Sequence, residues 1–194
     1  MTPEDKEAVL KAVVKQVLDG HTDAFGYVVD QYKTLVYTTA YRIVRNREEA
    51  EEVAQDAFMR AYRSLKNFGW NASFSSWLYR IVYNTALTRI RSRGLPTEAM
   101  NEQQDYPACS ESGREWRQLQ REERERFINL ALNRLSPDDG LVLTLFYISE
   151  SSIPEIAAVT GWGLSATKVR LHRARKKLLD ELCLVLKGEM GDLL

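Results

Sequence analysis

Between Gly94 and Trp116 the chain reads GLPTEAMNEQQDYPACSESGREW, a stretch with no usable hydrophobic period. Pro96, Pro107, two glycines and many polar side chains fill it. Such a segment supplies neither a helix stripe nor an alternating strand face, so it reads as a linker with a flexible or extended backbone. It breaks the 194 residues into two small domains, each of which must close its own core. The expected division is residues 1–93, a linker over 94–121, and residues 122–194.

Both flanks carry helical periodicity. Phe25, Val28, Val29, Tyr32, Val36, Thr39, Ala40 and Ile43 mark one apolar face. Glu48 to Lys66 predicts a second helix, with Val53, Ala57, Phe58, Ala61, Tyr62 and Leu65 inward and Glu49, Glu52, Asp56, Arg60 and Arg63 outward. Trp77 to Arg91 predicts a third. Beyond the linker, Glu122 to Leu135 and roughly Gly140 to Ile148 predict two more, separated by the stop-and-cap sequence Ser136-Pro137-Asp138-Asp139. The run Val142 to Ile148 has strand composition, but it has no partner strand and helical neighbours. The expected fold is all-α: two small helical domains joined by a flexible linker.

The chain has 27 basic and 27 acidic side chains, yet they are segregated. No Asp or Glu occurs from Ala57 to Thr97, which holds Arg60, Arg63, Lys66, Arg80, Arg89, Arg91 and Arg93. None occurs from Ile156 to Leu179 either, where Lys168, Arg170, Arg173, Arg175, Lys176 and Lys177 cluster. Two acid-free blocks point to two surfaces for one polyanion; solvated helix faces are the plainer alternative for either block alone. Enzyme chemistry finds little support. Cys109 and Cys183 form no C-x-x-C, and His21 and His172 have no ligand spacing. Phosphate-cradling glycine loops and the nucleophile elbow are missing. No metal or cofactor is expected. The acidic N-terminus and the lack of a long apolar run give the expectation of a soluble, cytoplasmic protein without membrane insertion.

The second basic block has an internal design. Ser152-Ile153-Pro154-Glu155 is a capping box opening a short helix, Ile153 to Thr160. Ala157 is small enough for a second helix to approach, and Gly161 can take the positive φ of a tight turn. Ser165 is placed to cap the next, basic helix. This is a helix-turn-helix, whose second helix enters a major groove with its N-terminal residues toward base edges.

The first block contains a different signal. Phe68, Trp70, Phe74, Trp77, Tyr79 and Tyr83 fall within sixteen residues, interleaved with Asn71, Ser73 and Ser75. Aromatic rings among hydrogen-bonding side chains in a positive setting suit unstacked bases. Trp70 and Phe74 are the candidate stacking rings, while Phe68 and Trp77 fit a core better.

Three stretches then resemble one family. FSSWLYRIVYNTALTRIRSR is similar to the region of bacterial sigma factors that melts and reads the −10 promoter element. REEAEEVAQDAFMRAYRSLKNF resembles their polymerase clamp-binding region, and ISESSIPEIAAVTGWGLSATKVRLHRARKKL their −35 reading region. Order, spacing and a single linker resemble the extracytoplasmic-function class, which has only the second and fourth sigma domains.

That resemblance implies a set of roles. Glu52, Gln55, Asp56 and Met59 would meet the β′ clamp of core RNA polymerase, with Gln55-Asp56 standing where the family usually has Gln-Glu. Trp70, Asn71, Ser73, Phe74, Ser75, Arg80, Tyr83, Asn84 and Arg89 would contact the −10 DNA. Ser165, Ala166, Lys168, Val169, Arg170, His172, Arg173 and Arg175 would contact the −35 DNA. Ala166 replaces a frequent Thr or Asn, which shifts base choice toward Lys168, Arg170 and His172. The implied partners are core polymerase, through its β′ clamp and β flap, promoter DNA and an anti-sigma factor. A stand-alone helix-turn-helix regulator would leave the aromatic loop unexplained, and a sigma-mimicking partner of an anti-sigma factor would have no need of the DNA-reading charges.

Overall fold

The computed structural model describes residues 3–93 and 119–191, so the Gly94–Trp116 stretch lies outside the described residues. Among those described, all regular structure is helical. The chain divides into two compact units.

The first unit contains α1 (Pro3–Leu18), α2 (Phe25–Val44), α3 (Arg47–Ser64) and α4 (Phe74–Ser92), with single 3-10 turns at Thr22–Ala24 and Leu65–Asn67. Helix α1 precedes the first helix that the periodicity predicts. Its buried residues Leu10, Val14 and Val17 follow i, i+4, i+7 spacing. Two residues separate α2 from α3. Arg45 ends α2 in the left-handed region, φ 54°, and its N–H donates to the Tyr41 carbonyl. Asn46 then caps α3, its Oδ1 accepting from the Glu49 N–H at 3.0 Å.

Helices α2, α3 and α4 pack on one another. The buried face of α3 is Ala50, Val53, Ala54, Ala57 and Ala61. Those short side chains let its neighbours come close, and larger residues fill the remaining space. Val28, Val36, Leu65, Leu78 and Val82 are almost wholly buried, each worth about 1.5–3 kcal/mol. Helix α4 starts three residues before the Trp77 expected from the pattern, because Ser73 caps it.

The second unit contains α5 (Arg121–Arg134), α6 (Pro137–Tyr147), α7 (Ile153–Thr160) and α8 (Leu164–Gly191). A capping box between Gln120 and Glu123 opens α5. Ser136 caps α6 through the Asp139 N–H, and Pro137 occupies the first turn, where its missing N–H costs nothing. The strand-like run Val142 to Ile148 is helical as far as Tyr147. Gly140 to Leu145 are all buried, which explains why no amphipathic period marks them.

Helix α8 packs on α5 and α6. Phe127, Val185 and Leu186 form a buried cluster with Leu119 and Leu182 against it, fastening the later half of α8 to α5. Cys183 lies buried on α8 and is disulfide-bonded. Cys109 lies outside the described residues. Sequence spacing could not reveal the disulfide, which depends on how closely folding brings two Cα atoms.

Candidate nucleic-acid and polymerase interface

Helix α3 turns its alanine seam inward, and that fixes what faces out. Glu52, Gln55, Asp56 and Met59, at i, i+3, i+4 and i+7, share one exposed face, and Met59 is 52% exposed. An exposed thioether among carboxylates provides both charge and an adaptable apolar contact for a helical partner. Arg89 of α4 reaches this face: its Nη2 is 2.5 Å from Glu52 Oε2 and its Nε 3.8 Å from Glu49 Oε1. Arg93 also pairs with Glu49. Arg89, expected on the DNA surface, is therefore joined to the acidic helix. Glu49 and Arg93 belong to the same network, although no spacing rule links them in sequence.

The loop before α4 is organised around Phe68. That ring is buried and meets Trp70 at 4.7 Å, Trp77 at 4.9 Å and Phe74 at 5.4 Å. Phe68 is core, as expected, and Trp77 is half-buried in the same cluster. Phe74 is not the exposed stacking ring expected of it. It is 3% exposed, packed on Trp77 and Tyr32, because the first residue of α4 turns inward. Trp70 is exposed, and its backbone takes φ 56°, a conformation that costs a bulky L-residue strain. Lys11 of α1 holds its Nζ 5.4 Å above the Trp70 ring.

Ser73 is also committed elsewhere. Its Oγ accepts from the Ser76 N–H and donates to Ser76 Oγ at 2.8 Å. A second contact, 3.2 Å, joins it to Ser75 Oγ. The hydroxyl expected to read a base is the N-cap of α4. Asn71 remains on the exposed side of the loop, and Ser75 is half-buried.

Along α4, Arg80 and Asn84 are exposed at i and i+4, whereas Tyr83 is buried against the core and cannot face a duplex in this arrangement. Arg91, one of the acid-free block's cations, is exposed further along the helix. Periodicity in α4 distinguishes the two faces only once its start at Phe74 is known.

In the second unit the capping box forms as the sequence requires. Glu155 Oε2 accepts from the Ser152 N–H at 2.9 Å and from its hydroxyl at 2.7 Å. Gly161 takes φ 78°, the turn conformation that favours glycine. Helix α8 begins at Leu164, one residue before Ser165, and the Gly163 carbonyl accepts from both the N–H and the hydroxyl of Thr167. Ser165 is thus inside the first turn and exposed, not the cap.

The cations of α8 fall into two groups. Arg170 donates to Asp138 Oδ2 at 2.8 Å and lies 4.4 Å over the Trp162 ring, with its side chain only 13% exposed. Lys177 Nζ donates to Asp139 Oδ2 at 2.8 Å. Both aspartates stand in the first turn of α6, where the helix dipole favours negative charge. Burial raises the Asp138 carboxyl above its ordinary value, more strongly than Arg170 lowers it. Arg170, expected to read bases, is paired here with Asp138 and lies over Trp162 instead of standing free on the helix surface. The face left exposed comprises Ser165, Ala166, Lys168, Val169, His172, Arg173 and Lys176. Lys176 was not among the expected contacts. Arg175 is exposed, its guanidinium 4.8 Å over Phe146 and 5.4 Å over Tyr147.

Residues 28–95 match Sigma-70 region 2, and residues 128–178 match Sigma-70, region 4. The ECF RNA polymerase sigma factor SigW of Bacillus subtilis is 33% identical over 192 residues, which cover 91% of this chain and 98% of SigW. This chain belongs to the ECF sigma factors. CnrH, solved in complex with the cytosolic domain of CnrY, is 27% identical, with 86% of this chain and 92% of CnrH covered at a TM-score of 0.57. The sigma factor RpoE of Bartonella quintana, solved with the anti-sigma factor NepR, shares the fold at a TM-score of 0.61 and 24% identity, over 82% of this chain and 97% of RpoE. As an ECF sigma factor the chain binds core RNA polymerase and directs promoter recognition and transcription initiation. Helix α1 precedes the region 2 match, and the later half of α8 follows the region 4 match. Among the described residues no helix is long and apolar enough to cross a membrane.

Proposed function

We propose that residues 1–93 bind the polymerase β′ clamp and open the −10 element, that residues 122–194 read the −35 element and meet the β flap, and that 94–121 connect them. The observation that carries the clamp assignment is the exposed face of α3, where Glu52, Gln55, Asp56 and Met59 stand together opposite the alanine seam. Within the first unit, Trp70, Asn71, Arg80, Asn84 and Arg91 form the −10 surface. Within the second, Lys168, Val169 and His172 read bases, while Arg173, Arg175 and Lys176 anchor phosphates. The chain does no covalent chemistry, acts in the bacterial cytoplasm, and is restrained by an anti-sigma factor; RpoE of Bartonella quintana, which shares the fold, is solved with the anti-sigma factor NepR.

Gln55→Ala combined with Asp56→Arg tests the clamp assignment. Both residues are exposed, so the circular dichroism spectrum and melting temperature should stay as in wild type. Affinity for purified core polymerase should fall by at least tenfold, and run-off transcription with it. Full affinity in the double variant removes this face from the polymerase interface.

A further inference from the structure

We infer that Lys11 is a contact for the DNA single strand captured at Trp70, an inference that rests on the proposed −10 role of that loop. Lys11 is on α1, which lies outside the region 2 match. Its Nζ stands 5.4 Å over the Trp70 ring. The ring belongs to an exposed residue whose backbone is held at φ 56°. A non-glycine residue persists in that region only where its surroundings hold it, and such residues gather at ligand sites.

The other partner of Lys11 is Glu7, with Nζ 2.7 Å from Glu7 Oε1. Both side chains are more than half exposed, so water weakens this ion pair and leaves the ammonium exchangeable. Surfaces that hold single strands combine an aromatic platform with a nearby cation. Trp70 and Lys11 supply both in the first unit. A base stacking on the indole takes the space the ammonium occupies and brings its own phosphate with it. The flexible four-carbon stem lets the ammonium swing from the ring to that phosphate. Lys11 thus covers the platform in the free chain and neutralises the backbone in the bound one.

The test uses assembled holoenzyme and a fluorescein-labelled oligothymidine of about twelve nucleotides, within the usual single-strand site range. Anisotropy is followed from about 50 mM to about 1 M salt, with core polymerase alone as reference. Lys11→Met keeps the stem and removes the charge. One lost single-strand phosphate contact makes the log–log salt slope shallower by about 0.7, which is about eightfold in affinity at the low-salt end and closes at the high-salt end. Lys11→Arg should behave as wild type, as should Lys33→Ala, which removes an exposed lysine paired with Asp30 on α2. A Lys11→Met holoenzyme with wild-type slope overturns the inference, whether its affinity is unchanged or lowered at every salt concentration. If wild-type holoenzyme binds no better than core alone, the −10 role of the loop fails first, and this inference falls with it.

Discussion

Arg170 of α8 and Asp138 of α6 are joined by a 2.8 Å hydrogen bond across 32 residues of sequence, with the guanidinium also lying over Trp162. The pair fixes which side of α8 stays exposed. Arg170→Ala should therefore lower stability by about 1.5–3 kcal/mol, the range for a charged hydrogen bond, and weaken binding to every −35 sequence alike. Lys168→Ala should leave the melting temperature unchanged and relax preference at one or two base pairs by about 1–3 kcal/mol each. Thermal unfolding and a panel of −35 duplexes distinguish the two; base-specific loss in the Arg170 variant would return it to the reading set.

The same pair gives a pH dependence. Burial raises the Asp138 carboxyl above its unfolded value, despite Arg170. The folded chain then holds this proton at pH values where the unfolded chain has released it. The contribution of this group to stability accordingly rises as pH falls from the raised value toward the ordinary carboxylate range, and is lost in the opposite direction. Asp138→Asn should flatten that part of the melting-temperature profile of wild type. An equal slope in both proteins would assign it to another carboxylate.

On α3, Glu52 and Asp56 look equivalent in sequence, one turn apart on one face, yet Arg89 neutralises only Glu52 at close range. An exposed pair of this kind is worth about 0.2–1 kcal/mol to stability, so its larger consequence is for binding. Asp56→Asn should weaken core polymerase binding more than Glu52→Gln does. Competition titration with purified core gives the ratio, and equal losses would mean that the partner displaces Arg89 without cost.

Much of this arrangement was legible in the residues. The caps at Ser136 and Ser152 with Glu155, the positive φ at Gly161, the helical stripes and the exposed face of α3 all depend on neighbours within a few positions, which periodicity and spacing register. What the sequence concealed depends on distant packing. Phe74 and Trp70 have the same composition around them, and only the start of α4 at Phe74 decides that one ring enters the core and the other remains outside. Ser73 reads equally well as a base contact or a cap. Arg170 is one cation in a basic run until Asp138 is brought beside it by the fold. Helix α1 was readable from Leu10, Val14 and Val17, but its meeting with Trp70 was not.

Loop residues with different fates should separate folding from promoter opening. Ser73→Ala removes the N-cap of α4 and should cost about 0.5–2 kcal/mol of stability, while Ser73→Asp keeps an acceptor there and should restore it. Phe74→Ala empties a buried site and should cost about 3–5 kcal/mol. Trp70→Gly is the informative change, because it removes the ring while glycine accepts φ 56° without strain. Its melting temperature should fall by less than that of Phe74→Ala, since the ring lies on the exposed side of the loop and its loss relieves the positive φ, and core binding should persist. Opening a duplex costs a few kcal/mol for each unstacked step, and a base stacked on an aromatic ring returns about 1–3 kcal/mol. Without the indole that return is lost, so permanganate should find unpaired thymines in the −10 region with wild-type holoenzyme and few or none with Trp70→Gly. A template already mismatched across the −10 region has no duplex to unpair, and initiation on it should recover at least in part. Normal opening by Trp70→Gly would make the ring dispensable and leave Asn71 and the helix face of Arg80 and Asn84 as the remaining candidates for strand capture.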